Sequence, residues 1–339
     1  MINEEFTGNC ELFFVSVISG PSGSYIGQRG EDKMFREQIL PLFRGKIRDA
    51  LENIQLNEDT LQEIRLRVNR PVIVIVDGTE VILKEVVESR DIKEILEGAC
   101  GYSSYAYEEE IKKGYVTVPG GHRIGVAGRA VMEDGKIRTL KHISGLNIRV
   151  AHSVTGCADK WKRYFYEEKK TCHVLIISPP GCGKTTLLRD AVRMISNGTE
   201  ECPGVTVGVV DERSEIAGMY RGIQTHELGM RTDVLDACPK SLGMELLLRS
   251  MAPKVIAVDE IGVLDVHAIE NALRCGCRVL ATLHGETFDD FLQKPGFQTL
   301  VKERVFDRYI VLKRGDKPGK VQSIFGKHFE TLWEENGCM

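Results

Sequence analysis

Nine residues, Ser178-Pro-Pro-Gly-Cys-Gly-Lys-Thr-Thr186, stand between the aliphatic run Val174–Ile177 and an amphipathic stretch that begins at Thr185. Their types and order suit one chemistry, the cradling of phosphates. Gly181 and Gly183 let the backbone curl so that successive N–H groups point inward as an anion nest. A helix opening near Thr185 adds the positive end of its dipole. Lys184 then reaches the β- and γ-phosphates, the Thr185 hydroxyl is a natural ligand for Mg²⁺, and Thr186 can donate to the α-phosphate. Ser178 stands at the first glycine of G-x-x-x-x-G-K-[ST], where a small residue still allows the turn out of the strand. Pro179, Pro180 and Cys182 complete the loop. ATP with Mg²⁺ is the expected ligand pair.

Three more aliphatic runs end in polar groups. Val255–Val258 leads into Asp259 and Glu260. Expected beside the loop strand, it would bring Asp259 to the metal and Glu260 to the attacking water. Val205–Val210 leads into Asp211, Glu212 and Arg213, and acids at the carboxyl ends of parallel strands gather at the ligand crevice. Glu212 is therefore a rival to Glu260 for polarising water. Arg278–Thr282 continues to His284, and either Thr282 or His284 could contact a γ-phosphate and report its loss.

Placing these groups takes a parallel sheet. After residue 170, continuous apolar strands alternate with amphipathic stretches at Thr185–Ile195, Ser241–Met251 and Val266–Cys275, the pattern of a sheet covered on both faces. Before it, Leu61–Val68, Val72–Val76, Val81–Val87, Tyr115–Val118, His122–Ala130, Lys136–Ile143 and Leu146–Ala151 read as strands, with Asp77-Gly78, Gly120-Gly121, Asp134-Gly135 and Ser144-Gly145 as turns. A helix fits Asp91–Cys100. The segments expected are a detachable, disordered leader at 1–33 with Met34 as an alternative start, a mixed α/β domain at 34–152, a polar connector at 153–170, an α/β core at 171–315 and a tail at 316–339.

The 339 residues are 42% hydrophobic, enough to bury two cores. Forty-five basic against forty-nine acidic residues leave a net charge of −4, which argues against a protein that coats nucleic acid or an anionic membrane. The ten cysteines contain no C-x-x-C pair and read as reduced cytosolic thiols. No apolar run approaches the length of a membrane span. The chain is expected in the cytoplasm.

Taken together, the motifs resemble a family. Leu247-Leu-Arg-Ser-Met-Ala-Pro-Lys-Val-Ile-Ala-Val-Asp-Glu-Ile261 looks like the Walker B region of type II/IV secretion ATPases, Gly276-Cys-Arg-Val-Leu-Ala-Thr-Leu-His284 like their His box, and Val209-Val-Asp-Glu-Arg213 occupies the place of their Asp box. With Gly121-His-Arg-Ile-Gly125 and Ile143-Ser-Gly-Leu-Asn-Ile-Arg-Val150, the resemblance covers about residues 34–315 and is greatest to the stage III sporulation AA family of endospore-forming bacteria.

The resemblance implies an α/β fold, a RecA-like P-loop NTPase core with a smaller N-terminal mixed α/β domain. It implies Mg²⁺-dependent ATP hydrolysis by hexameric rings, with Lys184, Glu212, Glu260 and His284 as catalytic residues. The homo-oligomer would meet membrane proteins of a channel between mother cell and forespore, peripherally and through protein contacts. In the secretion ATPases arginines of the amino-terminal domain reach the nucleotide. Arg149 aligns best, with Arg123 and Arg129 as alternatives and Arg221 and Arg231 as fingers from a neighbouring subunit. Two other readings stay open: a nucleotide-dependent scaffold or switch with little turnover, and a RecA-like nucleic-acid motor. The acidic balance and the lack of a basic, aromatic-rich strip leave no nucleic-acid partner expected.

Overall fold

A computed structural model describes residues 35–54, 60–101, 111–112, 114–152, 154–220, 222–315 and 319–335. The leader at 1–33 lies outside them. The chain divides into two units between His152 and Ser153.

In the first unit, β1 (Leu61–Arg67), β2 (Pro71–Val76), β3 (Thr79–Val86), β4 (Tyr115–Val118), β5 (His122–Glu133) and β6 (Lys136–Arg149) form one antiparallel sheet in the order β3-β2-β1-β6-β5-β4. Strand alternation turns Ile64, Leu66, Ile124 and Ile148 to one face. There they pack in one core with Ile47 and Leu51 of α1 (Gly45–Asn53) and Ile92 and Leu96 of α2 (Ser89–Ala99). One expected turn is corrected: β6 runs unbroken through Ser144-Gly145. Gly145 is paired on both sides, with Arg67 of β1 and Ala127 of β5, and a register shift between Ala127 and Arg129 absorbs the irregularity.

The second unit opens with a short helix α3 (Lys162–Phe165) and a two-stranded ribbon of β7 (Tyr166–Glu167) and β8 (Lys170–Thr171). Its main sheet has eight strands: β9 (Val174–Ser178), β10 (Val207–Asp211), β11 (Thr232–Asp236), β12 (Val255–Val258), β13 (Arg278–His284), β14 (Arg308–Leu312), β15 (Val321–Gly326) and β16 (Thr331–Glu334). They lie in the order β11-β10-β12-β13-β9-β14-β15-β16, parallel from β11 to β14 and antiparallel beyond. Both faces are covered. Ile176, Val209 and Ala257 share a core with Leu187, Leu188 and Ala191 of α4 (Lys184–Asn197). Leu175, Ile177, Ile256 and Val258 share the other with Met244 of α5 (Lys240–Ser250) and with Ile269 and Ala272 of α6 (Val266–Arg274).

Three expectations differ from this unit. β12 is not beside β9, because β13 lies between them. The polar stretch 153–170 is not a free connector: Trp161, Tyr164 and Phe165 are buried, and Ala158 N–H donates to the buried Asp190 of α4 at 2.7 Å. Nor is 316–339 simply a tail. Val321 and Ile324 are buried in the core that carries α4, and β15 pairs with β14 along its length. Among the described residues no helix is long and apolar enough to cross a membrane.

Candidate phosphate and carboxylate site

β9 ends at Ser178, and the chain enters α4 through Gly183 as its N-cap. Gly181 and Gly183 have φ of +72° and +89°, left-handed values that a side chain resists. No side chain caps α4, so its first N–H groups point to the loop without an internal partner. Ser178 is buried opposite His284 in the β9–β13 register, and its hydroxyl donates to the Pro179 carbonyl at 2.8 Å. Cys182 is buried as well, and its carbonyl accepts from Gly319 N–H at 2.8 Å. The segment leading into β15 thus braces the loop.

The carboxyl ends of β12 and β13 meet this loop. Thr185 Oγ1 donates to Asp259 Oδ2 at 2.5 Å, and the Thr282 hydroxyl donates to Asp259 Oδ1. Thr282 Oγ1 accepts from Glu260 N–H at 2.8 Å. The strand interposed between β9 and β12 therefore braces both acids, while Thr185 ties Asp259 directly to the start of α4. Glu260 has φ of +54°, a strained setting for a residue with a side chain, held here by its bond to Thr282.

Two cations grip the Glu260 carboxylate. Lys184 Nζ lies 2.7 Å from Oε1 and Arg213 Nη1 lies 2.6 Å from Oε2. Burial pushes this carboxyl up, but Lys184, then Arg213 and Lys240, outweigh it and hold Glu260 below the ordinary carboxylate range. It is ionised at neutral pH, and both of its oxygens are engaged until one cation leaves. Glu212 is exposed and ion-paired with Lys240, the first residue of α5.

The loop after β10 is fixed from two sides. The buried Asp211 accepts N–H bonds from Glu215, Ile216 and Ala217 at 2.8, 2.9 and 2.8 Å. Burial pushes its carboxyl up to about 6 against the pull of those donors. From α4, Arg189 donates to the carbonyls of Ile216 and Glu215 at 2.8 and 2.7 Å. Both sides of the peptide groups are thereby satisfied.

The structure thus brings together Lys184, Thr185, Asp259, Glu260 and Thr282, with Glu212 lining the same depression as Glu260. His284 is exposed at the end of β13, its carbonyl accepting from Lys294 Nζ at 2.9 Å. Arg149 belongs to the first unit, on β6, 3.8 Å from Glu63. Arg123 lies over the Tyr115 ring at 4.8 Å, and Arg129 is exposed on β5. Arg231 is anchored at the far end of α4, donating to the Ser196 carbonyl at 2.9 Å. Arg221 lies outside the described residues. Sequence reasoning missed Asp211, Arg213 and Lys240 as members of the site. Arg213 sat inside the quoted acidic motif without a role, and Lys240 had no local signal.

The Thr185 hydroxyl and the Asp259 carboxylate are hard oxygen donors held together, a pair that suits Mg²⁺, which keeps several waters and shares its shell with phosphate oxygens. Among the described residues no group of three or more His, Cys, Asp or Glu is placed to hold a metal ion.

Residues 33–332 match the family described as Sporulation stage III, protein AA. The chain is 45% identical over 278 residues to the stage III sporulation protein AA of Bacillus subtilis (strain 168), covering 82% of this chain and 90% of that protein. A crystal structure of the pilus retraction motor PilT with bound ADP is similar at a TM-score of 0.53 and 17% identity, over 88% of this chain and 84% of that one. The Yersinia pseudotuberculosis ATPase DotB gives a TM-score of 0.53 at 14% identity, over 84% and 80%. At such identities the likeness is one of fold: an α/β chain with a RecA-like P-loop core.

Proposed function

The chain belongs to the sporulation stage III protein AA family, and from that membership we propose that it is a Mg²⁺-dependent ATPase, turning ATP and water into ADP and phosphate to energise a sporulation channel between mother cell and forespore. The observation that carries this reading is the meeting of Lys184, Thr185, Asp259 and Glu260 at the mouth of an uncapped helix. Loop N–H groups from Gly181 to Thr186 bind the phosphates, flanked by Ser178, Pro179, Pro180 and Cys182. Lys184 leaves Glu260 for phosphate, and the freed Glu260 Oε1 takes the proton of the attacking water. Thr185 and Asp259 would hold Mg²⁺, which when bound offsets charge on the β- and γ-phosphates. Glu212 is the alternative base and His284 a candidate reporter of the γ-phosphate. For Arg149 the support is the family resemblance alone.

The same reading includes assembly as a homo-oligomeric, hexameric ring on the cytoplasmic side, joined to membrane proteins of the channel through protein contacts. A second reading has its own observation. The pair between Lys184 and Glu260 engages two catalytic groups at once, which favours a gated site and a nucleotide-dependent switch with little turnover. Single-turnover cleavage of ATP by the purified chain, with Lys184→Ala and Glu260→Gln alongside, decides between them. Cleavage lost in both variants supports the ATPase. Binding without cleavage in the parent chain favours the switch, and normal cleavage by folded Lys184→Ala refutes the site. Mass measurement with a non-hydrolysable ATP analogue tests the ring.

A further inference from the structure

We propose that Arg213 is a positioning residue for Glu260: it retains one carboxylate oxygen of the base while Lys184 departs to the phosphates, so that the other oxygen meets the water. The inference rests on the ATPase reading and adds a component to it. Its first support is the division of labour on the carboxylate, with Lys184 on Oε1 and Arg213 on Oε2. A carboxylate freed of both would rotate, or fall back onto the departing lysine. Held by a guanidinium at 2.6 Å, it keeps one orientation, and a planar, always charged group suits that task better than an ammonium.

The second support is the loop that carries Arg213. Its side chain is 60% exposed, and an exposed long side chain ordinarily has too much freedom to aim another group. Here its backbone is fixed on the far side. Asp211 gathers the N–H groups of residues 215–217, and Arg189 holds the carbonyls of 215 and 216. Ser214 Oγ donates to Asp236 at 2.6 Å. Because Arg189 lies on α4, the helix that begins at Lys184, one rigid element sets both cations that touch Glu260. Such a supporting shell is what keeps a catalytic group within a few tenths of an ångström of its working place.

The groups facing Glu260 are Lys184 from α4, Arg213 from the β10 loop, Lys240 from α5, and the acids Asp259 and Glu212. Arg213→Ala and Arg213→Lys are compared with the parent chain and with Glu260→Gln. We expect kcat for ATP to fall at least about tenfold in Arg213→Ala with KM changed less than about twofold, and partial recovery in Arg213→Lys. The double variant Arg213→Ala/Glu260→Gln should be no slower than Glu260→Gln. Full turnover by Arg213→Ala, while Lys184→Ala and Glu260→Gln are inactive, overturns the role of Arg213 and leaves the site standing. Additive losses in the double variant overturn it equally, since Arg213 then acts elsewhere. Should Lys184→Ala and Glu260→Gln both retain turnover, the failure lies in the ATPase reading.

Discussion

Glu260→Gln should improve ATP binding while impairing cleavage. In the free chain the Lys184 ammonium is bound to Glu260 at 2.7 Å, with the two side chains 11% and 28% exposed. Nucleotide must draw Lys184 from that partner, so the pair competes with phosphate. Exposed pairs contribute about 0.2–1 kcal/mol, and hydrogen bonds to charged groups about 1.5–3. A half-sheltered pair that Gln can still partly replace falls near 1 kcal/mol, which is about a fivefold decrease in Kd. Cleavage in the same variant should slow about a hundredfold, as expected when a positioned base is lost. Calorimetric titration with ATP, with and without Mg²⁺, reads the first effect and single-turnover cleavage at saturation reads the second. Weaker binding by Glu260→Gln would refute the competition. A cleavage rate near that of the parent would remove Glu260 as the base and move that role to Glu212.

Other perturbations test the scaffold. His122 is fully buried, accepting Ala151 N–H at Nδ1 at 3.0 Å and thus donating from Nε2 to Gln38 at 3.0 Å. Burial, with the nearby His152, lowers it to about 4 from 6.5. The unfolded chain therefore binds the extra proton first: stability is full above pH 6.5 and is lost as pH falls toward 4, by about 3 kcal/mol at most. Thermal melts of the full chain between pH 7.5 and 4.5 should show this loss, with a flatter profile in His122→Gln. Gly183→Ala places a side chain at φ +89° and should cost about 1–2 kcal/mol in a denaturant melt, with ATP binding weakened in parallel. Ile324→Ala should cost about 2–4 kcal/mol, since Ile324 is fully buried; an unchanged melting temperature would restore 316–339 as a simple tail.

What could be read in the sequence was what the chain writes locally. The loop from Ser178 to Thr186 is contiguous, with strand before and helix after, so its position needed no knowledge of distant contacts. The same holds for Asp259 and Glu260, fixed by the strand they terminate. Strand order was not local. Nothing in Val255–Val258 says that Arg278–His284 will lie between it and the loop strand, yet that insertion is why Thr282 can bond both Asp259 and Glu260 N–H. Lys240 stands 28 positions from its partner Glu212, on a helix whose placement depends on packing against β10. The strand Val321–Gly326 hid for another reason. Its burial does not follow a clean alternation, and the lysines before it read as solvated chain.

The charges around Glu260 also bear on why such a site should be coupled to assembly. Lys184, Arg213 and Lys240 are balanced by Asp259, Glu260 and Glu212, and nearby Arg189 is balanced by Asp211. The free site is therefore close to neutral, with its cations already engaged. A triphosphate with its metal brings a net charge of about −2 into the same small volume. Internal rearrangement can redirect Lys184, but it cannot create positive charge, and every cation that turns to phosphate leaves a carboxylate less compensated. Beyond the partial charge of the loop N–H groups and the helix end, two sources of compensation remain: protonation of a carboxylate, which would silence a base, or a cation from outside this cluster. The second preserves the chemistry. An arginine delivered on assembly would make nucleotide binding and association favour one another through a shared charge deficit. In that arrangement Arg213 aims the base and the incoming arginine neutralises the phosphate, so loss of the first should affect kcat, and loss of the second the dependence of activity on protein concentration.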